Sequence, residues 1–388
     1  MDSVKERFGA VYGGPEVPRA FFAPGRVNLI GEYTDYNGGH VLPCALAIGT
    51  YGAASARTDR MVRLWSENFS NLGILTVDLD DLTFQEHHRW ANYVKGILWA
   101  FEAQGTPVPF GFDAVISGNI PNGAGLSSSA SLELLTSVIV NNLFGLGLTM
   151  ESMVQLSKRA ENEYIGVQCG IMDQFAIGMC QKGHAVLLNT ESMHYEHVPL
   201  TLEGHELVIA NSNKRRGLAD SKYNIRFEEC REALKDLQTV TDIRSLGDLD
   251  EAAFAKYGSA IRNPDGYRRA RHAVLENRRT LKAVEALRNG DMKAFGQYMN
   301  ASHESLQKDY AVTGVELDTL VELAQAHPGV LGSRMTGAGF GGCTVSLVES
   351  SRVKEFIQNV GAGYRERIGY DADFYVVQSG PGACELTK

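Results

Sequence analysis

Several features that would point to a membrane, secreted or nucleic-acid-binding protein are missing from this sequence. The 388 residues contain no run of roughly 18 or more apolar residues, which a membrane-spanning helix requires. The N-terminal residues lack the apolar core of a signal peptide. The formal net charge is −9, whereas a protein that binds nucleic acid needs a basic face. We therefore expect neither a membrane nor a nucleic acid as a partner.

Cysteine is scarce and follows no recognisable pattern. The six cysteines are scattered and include no C-x-x-C pair, so the sequence suggests neither a zinc site nor a disulfide framework. Reduced thiols are typical of the cytoplasm. We therefore predict a cytoplasmic protein whose cysteines are mostly small buried residues.

The best-known phosphate-binding motifs are absent as well. The chain has no G-x-x-x-x-G-K-[ST] loop and none of the protein-kinase motifs H-R-D and D-F-G. Residues 337–342 have the spacing G-x-G-x-x-G, but they lead into the strand-like segment 343–347. Because a dinucleotide-binding fingerprint must open a helix, this match is rejected.

What the chain does contain is typical of a folded α+β protein. It is 44% hydrophobic and 21% charged, and its length favours two domains. Strands and helices in mixed order predict two α+β domains, an N-terminal one over 1–190 and a C-terminal one over 191–388.

Hydrophobic periodicity predicts individual elements. Strands are expected at 19–23, 50–56, 62–66, 112–117, 185–188, 206–210 and 373–377, with a strand–glycine turn–strand unit over 332–348. Helices are expected at 91–102, 129–144, 151–164, 219–237, 267–287, 291–307 and 353–367.

A glycine- and serine-rich segment at 121–130 lies between a predicted strand and a predicted helix. Glycine lets backbone N–H groups approach phosphate oxygens closely, and a helix that starts just after the turn adds its dipole and free donors. A tight turn with a serine cap is the alternative. The residues of this loop that are predicted to bind phosphate are Pro121, Gly123, Ala124, Gly125, Leu126, Ser127, Ser128, Ser129 and Ala130.

With these residues assembled, the chain resembles a known family. Segment 121–130 resembles the central motif of the GHMP small-molecule kinases, and 335–342 resembles their third motif. Segment 25–39, with the sequence GRVNLIGEYTDYNGG, resembles the galactokinase signature. Three further segments, 90–96, 169–175 and 302–310, are galactokinase-like. The resemblance implies the two-domain GHMP fold with its active site in the cleft between the domains.

The resemblance also implies an activity, the transfer of the γ-phosphate of ATP to the anomeric hydroxyl of α-D-galactose. Asp173 matches the family's catalytic aspartate and Arg26 the arginine beside it, which would hold the aspartate ionised. The residues alone would also suit a helix cap at Asp173 and a surface ion pair at Arg26. Whether the aspartate takes the proton or only orients the hydroxyl stays open at this point.

The same resemblance assigns ligands to other residues. The family pattern would hold Mg²⁺ on Ser129 and Glu161, although Glu161 alone reads as an exposed helical glutamate. Galactose would be bound by Glu32, Tyr33, Asp35, Gly170, Asp173 and Tyr223. The family usually has histidine where this chain has Tyr33, which bears on the preference at the outer hydroxyls of the sugar.

The remaining assignments concern the nucleotide. Ser66, Trp90 and Tyr93 are predicted to line the ATP site, and Arg215 to reach its phosphates. Buried core aromatics and a solvated basic cluster are the alternatives for these residues.

Two other kinds of function compete with this interpretation. A related sugar 1-kinase, acting on N-acetylgalactosamine or arabinose, would use the same machinery. A non-catalytic sensor that binds galactose and ATP could lose part of the serine loop, but residues 127–130, Asp173 and Arg26 are all present. The sequence therefore predicts a catalyst with small-molecule partners, expected to be a monomer.

Overall fold

The computed structural model describes residues 2–14, 17–121, 125–214 and 219–387. The α-helices in these ranges are α1 (Asp2–Tyr12), α2 (Ala91–Ala103), α3 (Ser128–Phe144), α4 (Met150–Arg159), α5 (Met172–Met179), α6 (Ala219–Leu237), α7 (Glu251–Tyr257), α8 (Pro264–Arg288), α9 (Met292–Ser305), α10 (Val315–Ala326) and α11 (Val353–Ile368). The strands are β1 (Arg19–Asn28), β2 (His40–Val41), β3 (Pro43–Ala56), β4 (Met61–Ser66), β5 (Leu75–Asp78), β6 (Phe112–Gly118), β7 (His184–Asn189), β8 (Tyr195–Pro199), β9 (His205–Asn211), β10 (Val330–Thr336), β11 (Cys343–Glu349), β12 (Asp373–Val377) and β13 (Cys384–Glu385).

Most predicted elements are confirmed, with differences at their ends. The helices predicted at 151–164 and 291–307 each end earlier, at Arg159 and Ser305, and continue as the π-helical turns Ala160–Ile165 and Leu306–Tyr310. π-Helical turns are rare in proteins, and those that occur are often found at functional sites. Helices α1, α5, α7 and α10 were not predicted.

The first half of the chain is built on a six-stranded sheet in the order β13-β1-β3-β6-β4-β5. Its pairs are antiparallel except for the parallel pair of β4 with β6. Helices α3 and α5 pack on this sheet and α2 packs on α3, around a core that includes Phe21, Phe101 and Phe175. The sheet and its helices form the rigid frame from which β1 and α5 present side chains.

The second half contains a four-stranded antiparallel sheet in the order β10-β11-β9-β12. A small sheet of β2, β7 and β8 lies between the halves. One buried cluster takes side chains from both halves, among them Leu29, Leu42, Leu207 and Phe295. The two halves therefore share apolar surface.

The end of the chain returns to the first sheet. In β13, Glu385 pairs with Phe21 of β1 and accepts two hydrogen bonds from the Arg19 guanidinium. The predicted division at residue 190 stays a prediction, and this last strand belongs to the N-terminal sheet. None of the helices in the described ranges combines the length and apolarity needed to cross a bilayer.

Candidate active site

A cleft of about 350 Å³ lies where the two halves meet. Its walls come from the turn after β1, the start of α3, the π-helical turn after α4, the start of α5, helix α6 and the glycine turn after β10. Ten predicted site residues line it: Arg26, Glu32, Tyr33, Asp35, Tyr93, Ser129, Glu161, Gly170, Asp173 and Tyr223.

A local irregularity of β1 positions Arg26. The register of β1 against β3 shifts between Pro24 and Arg26, and such a bulge re-aims the side chains that follow it. The guanidinium is buried and donates to both carboxylate oxygens of Asp173, with both N···O distances at 2.8 Å. Its third bond, 2.7 Å, goes to the carbonyl oxygen of Gly125 in the glycine loop. Arg26 thus joins the sheet, helix α5 and the loop.

Asp173 lies in the first turn of α5, next to the positive end of the helix dipole. It accepts a further hydrogen bond from the Ser127 hydroxyl. Its side chain is 31% exposed, against 5% for Arg26, so the carboxylate faces the cleft while its partner is enclosed. A carboxylate held at both oxygens and open on one side is suited to accept a hydrogen bond from a substrate hydroxyl.

The described part of the glycine–serine loop packs against the bulge. A side chain at Gly25 would lie 3.1 Å from the Leu126 carbonyl oxygen, so glycine allows the close approach. Ser127 has the left-handed φ of 62°, which a non-glycine residue adopts only where the surroundings fix it. Its hydroxyl therefore bonds Asp173 rather than capping α3. The predicted residues Gly123 and Ala124 lie outside the described residues.

The other described loop residues differ in their environment. Leu126 and Ala130 are buried in the core, Pro121 is half-buried, and Ser128 is exposed. Ser129 is half-buried and faces the cleft. Among the described loop serines, Ser129 is therefore the one whose hydroxyl is placed to contact a ligand in the cleft.

Glu161 lies beside Ser129, the other residue that the family resemblance assigns to Mg²⁺, and it is buried rather than exposed. The Ser129 hydroxyl lies 3.3 Å from Glu161 Oε1, and the Gln174 amide donates to Oε2 at 2.5 Å. The same amide donates at 3.2 Å to Glu133, a fully buried carboxyl on α3. Burial and the Asp173 charge raise the pKa of Glu161.

The turn after β1 brings two carboxyls to the cleft. Glu32 is buried and accepts hydrogen bonds from the Asn28 side chain and the Gly337 backbone N–H. Asp35 lies against Gly170, where any side chain would collide with its carboxylate. Gly170 is therefore required by the position of Asp35.

Tyr33 adopts a left-handed φ of 65° in this turn. Its ring lies 4.5 Å from the ring of Tyr310 and 5.6 Å from that of Tyr223, and its hydroxyl donates to the Ala338 carbonyl oxygen. A bulky residue in this conformation is a strained feature of the kind found at functional sites. It connects the turn to the glycine turn of the other half.

Helix α8 supports the same turn from the C-terminal half. Glu276 accepts a hydrogen bond of 3.1 Å from the Gly31 N–H, and His272 Nε2 lies 3.0 Å from the Glu32 carbonyl oxygen. Burial lowers the pKa of His272 to about 4, so the ring is neutral at neutral pH. Its Nε2–H therefore donates to the carbonyl, while Nδ1 lies 2.8 Å from the Ser305 hydroxyl.

The predicted nucleotide residues are only partly together. Tyr93 lines the cleft, whereas Ser66 and Trp90 do not. The ring of Trp90 lies 6.5 Å from the nearly parallel ring of Phe69, in the short helix that Ser66 precedes. Ser66 and Trp90 thus belong to one neighbouring region. Arg215 lies outside the described residues.

Sequence reasoning missed several residues of the site. It recognised the glycine turn but did not assign Gly337, Ala338 and Gly339 to the cleft, which they line. The further lining residues that it missed are Gly166, Val167, Cys169, Met172 and Asn224. Glu133 carried a signal, because it is an isolated charge within an apolar stretch of α3.

Three family models match the chain. The galactokinase galactose-binding signature matches residues 6–56, the GHMP kinases N-terminal domain matches 92–181, and the GHMP kinases C-terminal model matches 283–366. A galactokinase of Clostridium acetobutylicum is 56% identical over 366 residues, which is 94% of each chain. A galactokinase of Bacillus subtilis is 53% identical over 385 residues, which is 99% of each chain.

Solved structures agree with these relatives. The chain is similar to the Lactococcus lactis galactokinase complexed with galactose, with a TM-score of 0.97, 48% identity and 99% of both chains covered. A mevalonate kinase matches with a TM-score of 0.64 at 18% identity, over 93% of this chain and 98% of that one, which shows a shared fold alone. The predicted fold class and family resemblance are confirmed.

The charge of Asp35 yields a test of the site that does not depend on activity. Burial and the neighbouring charges of Asp173 and Glu32 raise its pKa to about 7. Because this lies above the value near 3.9 of an unfolded chain, the stability that Asp35 contributes is present below about pH 4 and is lost as the pH rises through 7. We therefore expect Asp35→Asn to raise the melting temperature at pH 8 by about 1–3 °C, and to raise it less at pH 5.

Melting curves of the parent and variant at both pH values check this. Asp59→Asn is a matched control of opposite sign, because the hydrogen bond from Arg57 lowers the pKa of Asp59 to about 2. That variant is expected not to melt higher than the parent. An Asp35→Asn protein that melts at or below the parent temperature at pH 8 would contradict the assigned electrostatics.

Proposed function

We propose, because this chain belongs to the galactokinase family of GHMP kinases, that it transfers the γ-phosphate of ATP to the anomeric hydroxyl of galactose to give galactose 1-phosphate and ADP. Membership of that family makes it an ATP-dependent sugar kinase. The observation that carries the proposal is the Asp173 carboxylate, paired to Arg26 and open to the cleft that Glu32 and Asp35 also line. The substrates are small molecules, and the free cysteines suit a reducing cytoplasm.

In the proposed reaction, Asp173 orients the anomeric hydroxyl and accepts its proton. The two hydrogen bonds from Arg26 and the one from Ser127 fix the carboxylate before substrate arrives, so little reorganisation is needed during the transfer. Arg26 also supplies positive charge beside the site where phosphate charge develops. Orientation and charge are the main contributions that phosphoryl transfer requires of a protein.

Sugar recognition is proposed for the turn after β1 and its neighbours. Carboxylates accept hydrogen bonds from adjacent sugar hydroxyls, and Glu32 and Asp35 line the same cleft as Asp173. The Gly170 backbone lies directly against Asp35, and Tyr223 lines the cleft from α6. A site of this kind rejects sugars that leave its polar groups unpaired.

Magnesium is proposed as the cofactor, with Ser129 and Glu161 as the residues that would hold it. No group of three or more histidine, cysteine or acidic side chains within the described ranges forms a metal site by itself. A hydroxyl and a carboxylate that share a cleft with room for phosphate nevertheless offer the hard oxygens that Mg²⁺ prefers. When bound with ATP, the ion would neutralise charge on the phosphates. The glycine–serine loop, with Gly123, Ala124 and Gly125, is proposed to bind those phosphates, with Arg215 as a further phosphate contact.

The role of Asp173 predicts the outcome of one substitution. Asp173→Asn removes the proton acceptor but keeps a similar shape, so turnover should fall at least about a hundredfold while ATP binding is retained. Turnover from a coupled ADP assay and ATP affinity from calorimetry test both parts. Turnover within twofold of the parent would remove Asp173 from the chemistry.

The metal proposal predicts a change in magnesium dependence. Ser129→Ala and Glu161→Gln should each raise the magnesium concentration for half-maximal activity by about tenfold, because each loses an oxygen ligand. Glu163→Gln is the matched control, since Glu163 is an exposed neighbour paired with Arg159. If both variants titrate like the parent, the ion is held elsewhere.

The sugar site predicts strong discrimination against glucose, which differs from galactose only at the fourth carbon. One or two misplaced hydrogen bonds should make the specificity constant for glucose lower than that for galactose by about a hundredfold or more. Tyr33→His should leave turnover on galactose largely intact and change tolerance at the sixth carbon, because the residues proposed for the chemistry, Asp173 and Arg26, are unchanged and keep their ion pair. Specificity constants for galactose, glucose and 6-deoxygalactose measure this. If the specificity constant of the parent protein for glucose equals that for galactose, the protein is not a galactokinase.

A further inference from the structure

Glu32 is an unusual sugar ligand because it is almost completely enclosed. Its side chain is 1% exposed, and both oxygens already accept hydrogen bonds from the protein, at Asn28 and Gly337. An ionised carboxylate buried in this way is costly unless a positive charge lies nearby. A positively charged side chain must therefore lie close enough to stabilise the Glu32 carboxylate.

That cation is Arg334, on β10 of the other half of the chain. Its side chain is 0% exposed, and Nη1 lies 3.6 Å from Glu32 Oε1 and 3.0 Å from the Asn28 carbonyl oxygen. Nε donates to the Ser302 hydroxyl at 3.1 Å. Nη2 is buried and, within the part of the chain that the structure describes, has no hydrogen-bond partner. If this position served only to fill space, an apolar side chain would do so without burying an unpaired donor.

The other ion pairs nearby do not replace this one. Glu276 is also fully buried and feels the charge of Arg334, but its ion pair is with Arg279, and the Ser302 hydroxyl lies between it and Arg334. Arg26 directs its guanidinium to Asp173 and Gly125. Arg334 is thus the guanidinium placed within ion-pair distance of Glu32 among the described residues, although it does not line the cleft.

We propose that Arg334 is a positioning residue for sugar recognition, which fixes the Glu32 carboxylate so that it can accept hydrogen bonds from the sugar hydroxyls. The inference rests on the proposed function, since it takes galactose as the ligand. It makes the sugar affinity of the N-terminal turn depend on a residue of the C-terminal half. Arg334 also bonds the backbone of Asn28, so it fixes both ends of the segment that leads into the turn.

The test is galactose binding by calorimetry on the full chain without nucleotide, together with KM for each substrate. Arg334→Met should weaken galactose binding by about tenfold or more, while KM for ATP changes less than twofold. Arg334→Lys should bind galactose more tightly than Arg334→Met, because lysine keeps the positive charge. It should bind galactose less tightly than the parent, because lysine lacks the forked donors of the guanidinium. Equal galactose binding by the parent and Arg334→Met would overturn the proposal.

A double-mutant cycle keeps the test decisive if Arg334→Met folds poorly. Glu32→Gln with Arg334→Met removes both buried charges and leaves none unpaired, and its loss of affinity should be close to that of Glu32→Gln alone. A loss in the double variant well beyond that of Glu32→Gln alone would mean that Arg334 acts independently of Glu32 and would overturn the proposal.

Arg269→Met is the matched control, since Arg269 is a buried arginine of the same half that pairs with Glu229. It should lower the melting temperature yet leave galactose binding within twofold. If Arg269→Met lost as much galactose affinity as Arg334→Met, the effect of Arg334→Met would be explained by general destabilisation, and the proposal would be overturned. Failure of the parent to bind galactose would instead contradict the proposed function.

Discussion

The bidentate ion pair of Arg26 and Asp173 is the contact on which the cleft depends. It joins a bulged strand to the first turn of a helix 147 residues later in the chain, and the third guanidinium nitrogen of Arg26 donates to the Gly125 carbonyl oxygen in the glycine loop. Ser127 completes the arrangement with a hydroxyl directed at Asp173 from a left-handed backbone. Because the arginine is buried and the carboxylate is not, the pair presents its negative end to whatever occupies the cleft.

The second constraint is that the sugar turn of one half is held by buried polar side chains of the other. Glu276 and His272 bond its backbone, and Arg334 lies beside its carboxylate. Buried polar groups of this kind are stable only when paired, so the turn cannot shift without unpairing groups in both halves. The cleft is consequently a property of the whole chain rather than of either half, and the strained Tyr33 conformation is maintained by the same contacts.

Much of the fold could be predicted from the sequence. Apolar residues that recur every second residue indicate a strand with one buried face, and apolar residues that recur about every 3.6 residues indicate a helix with one buried face. Helix α5 was missed since it has only eight residues and no side-chain cap, although it carries Asp173. The catalytic and metal assignments came from the family resemblance, and the comparisons confirm the family. The pairing of Arg334 with Glu32 could not be predicted, because it depends on tertiary packing between residues 302 positions apart, and a charged residue in a strand suggests exposure.

The most direct measurement is a crystal structure of the chain with galactose bound. We expect the anomeric hydroxyl to lie within hydrogen-bond distance of Asp173, with other hydroxyls bonded to Glu32 and Asp35 and the contact between Arg334 and Glu32 unchanged. A sugar bound outside this cleft, or bound in it with its anomeric hydroxyl directed away from Asp173, would contradict the role of Asp173 in the transfer.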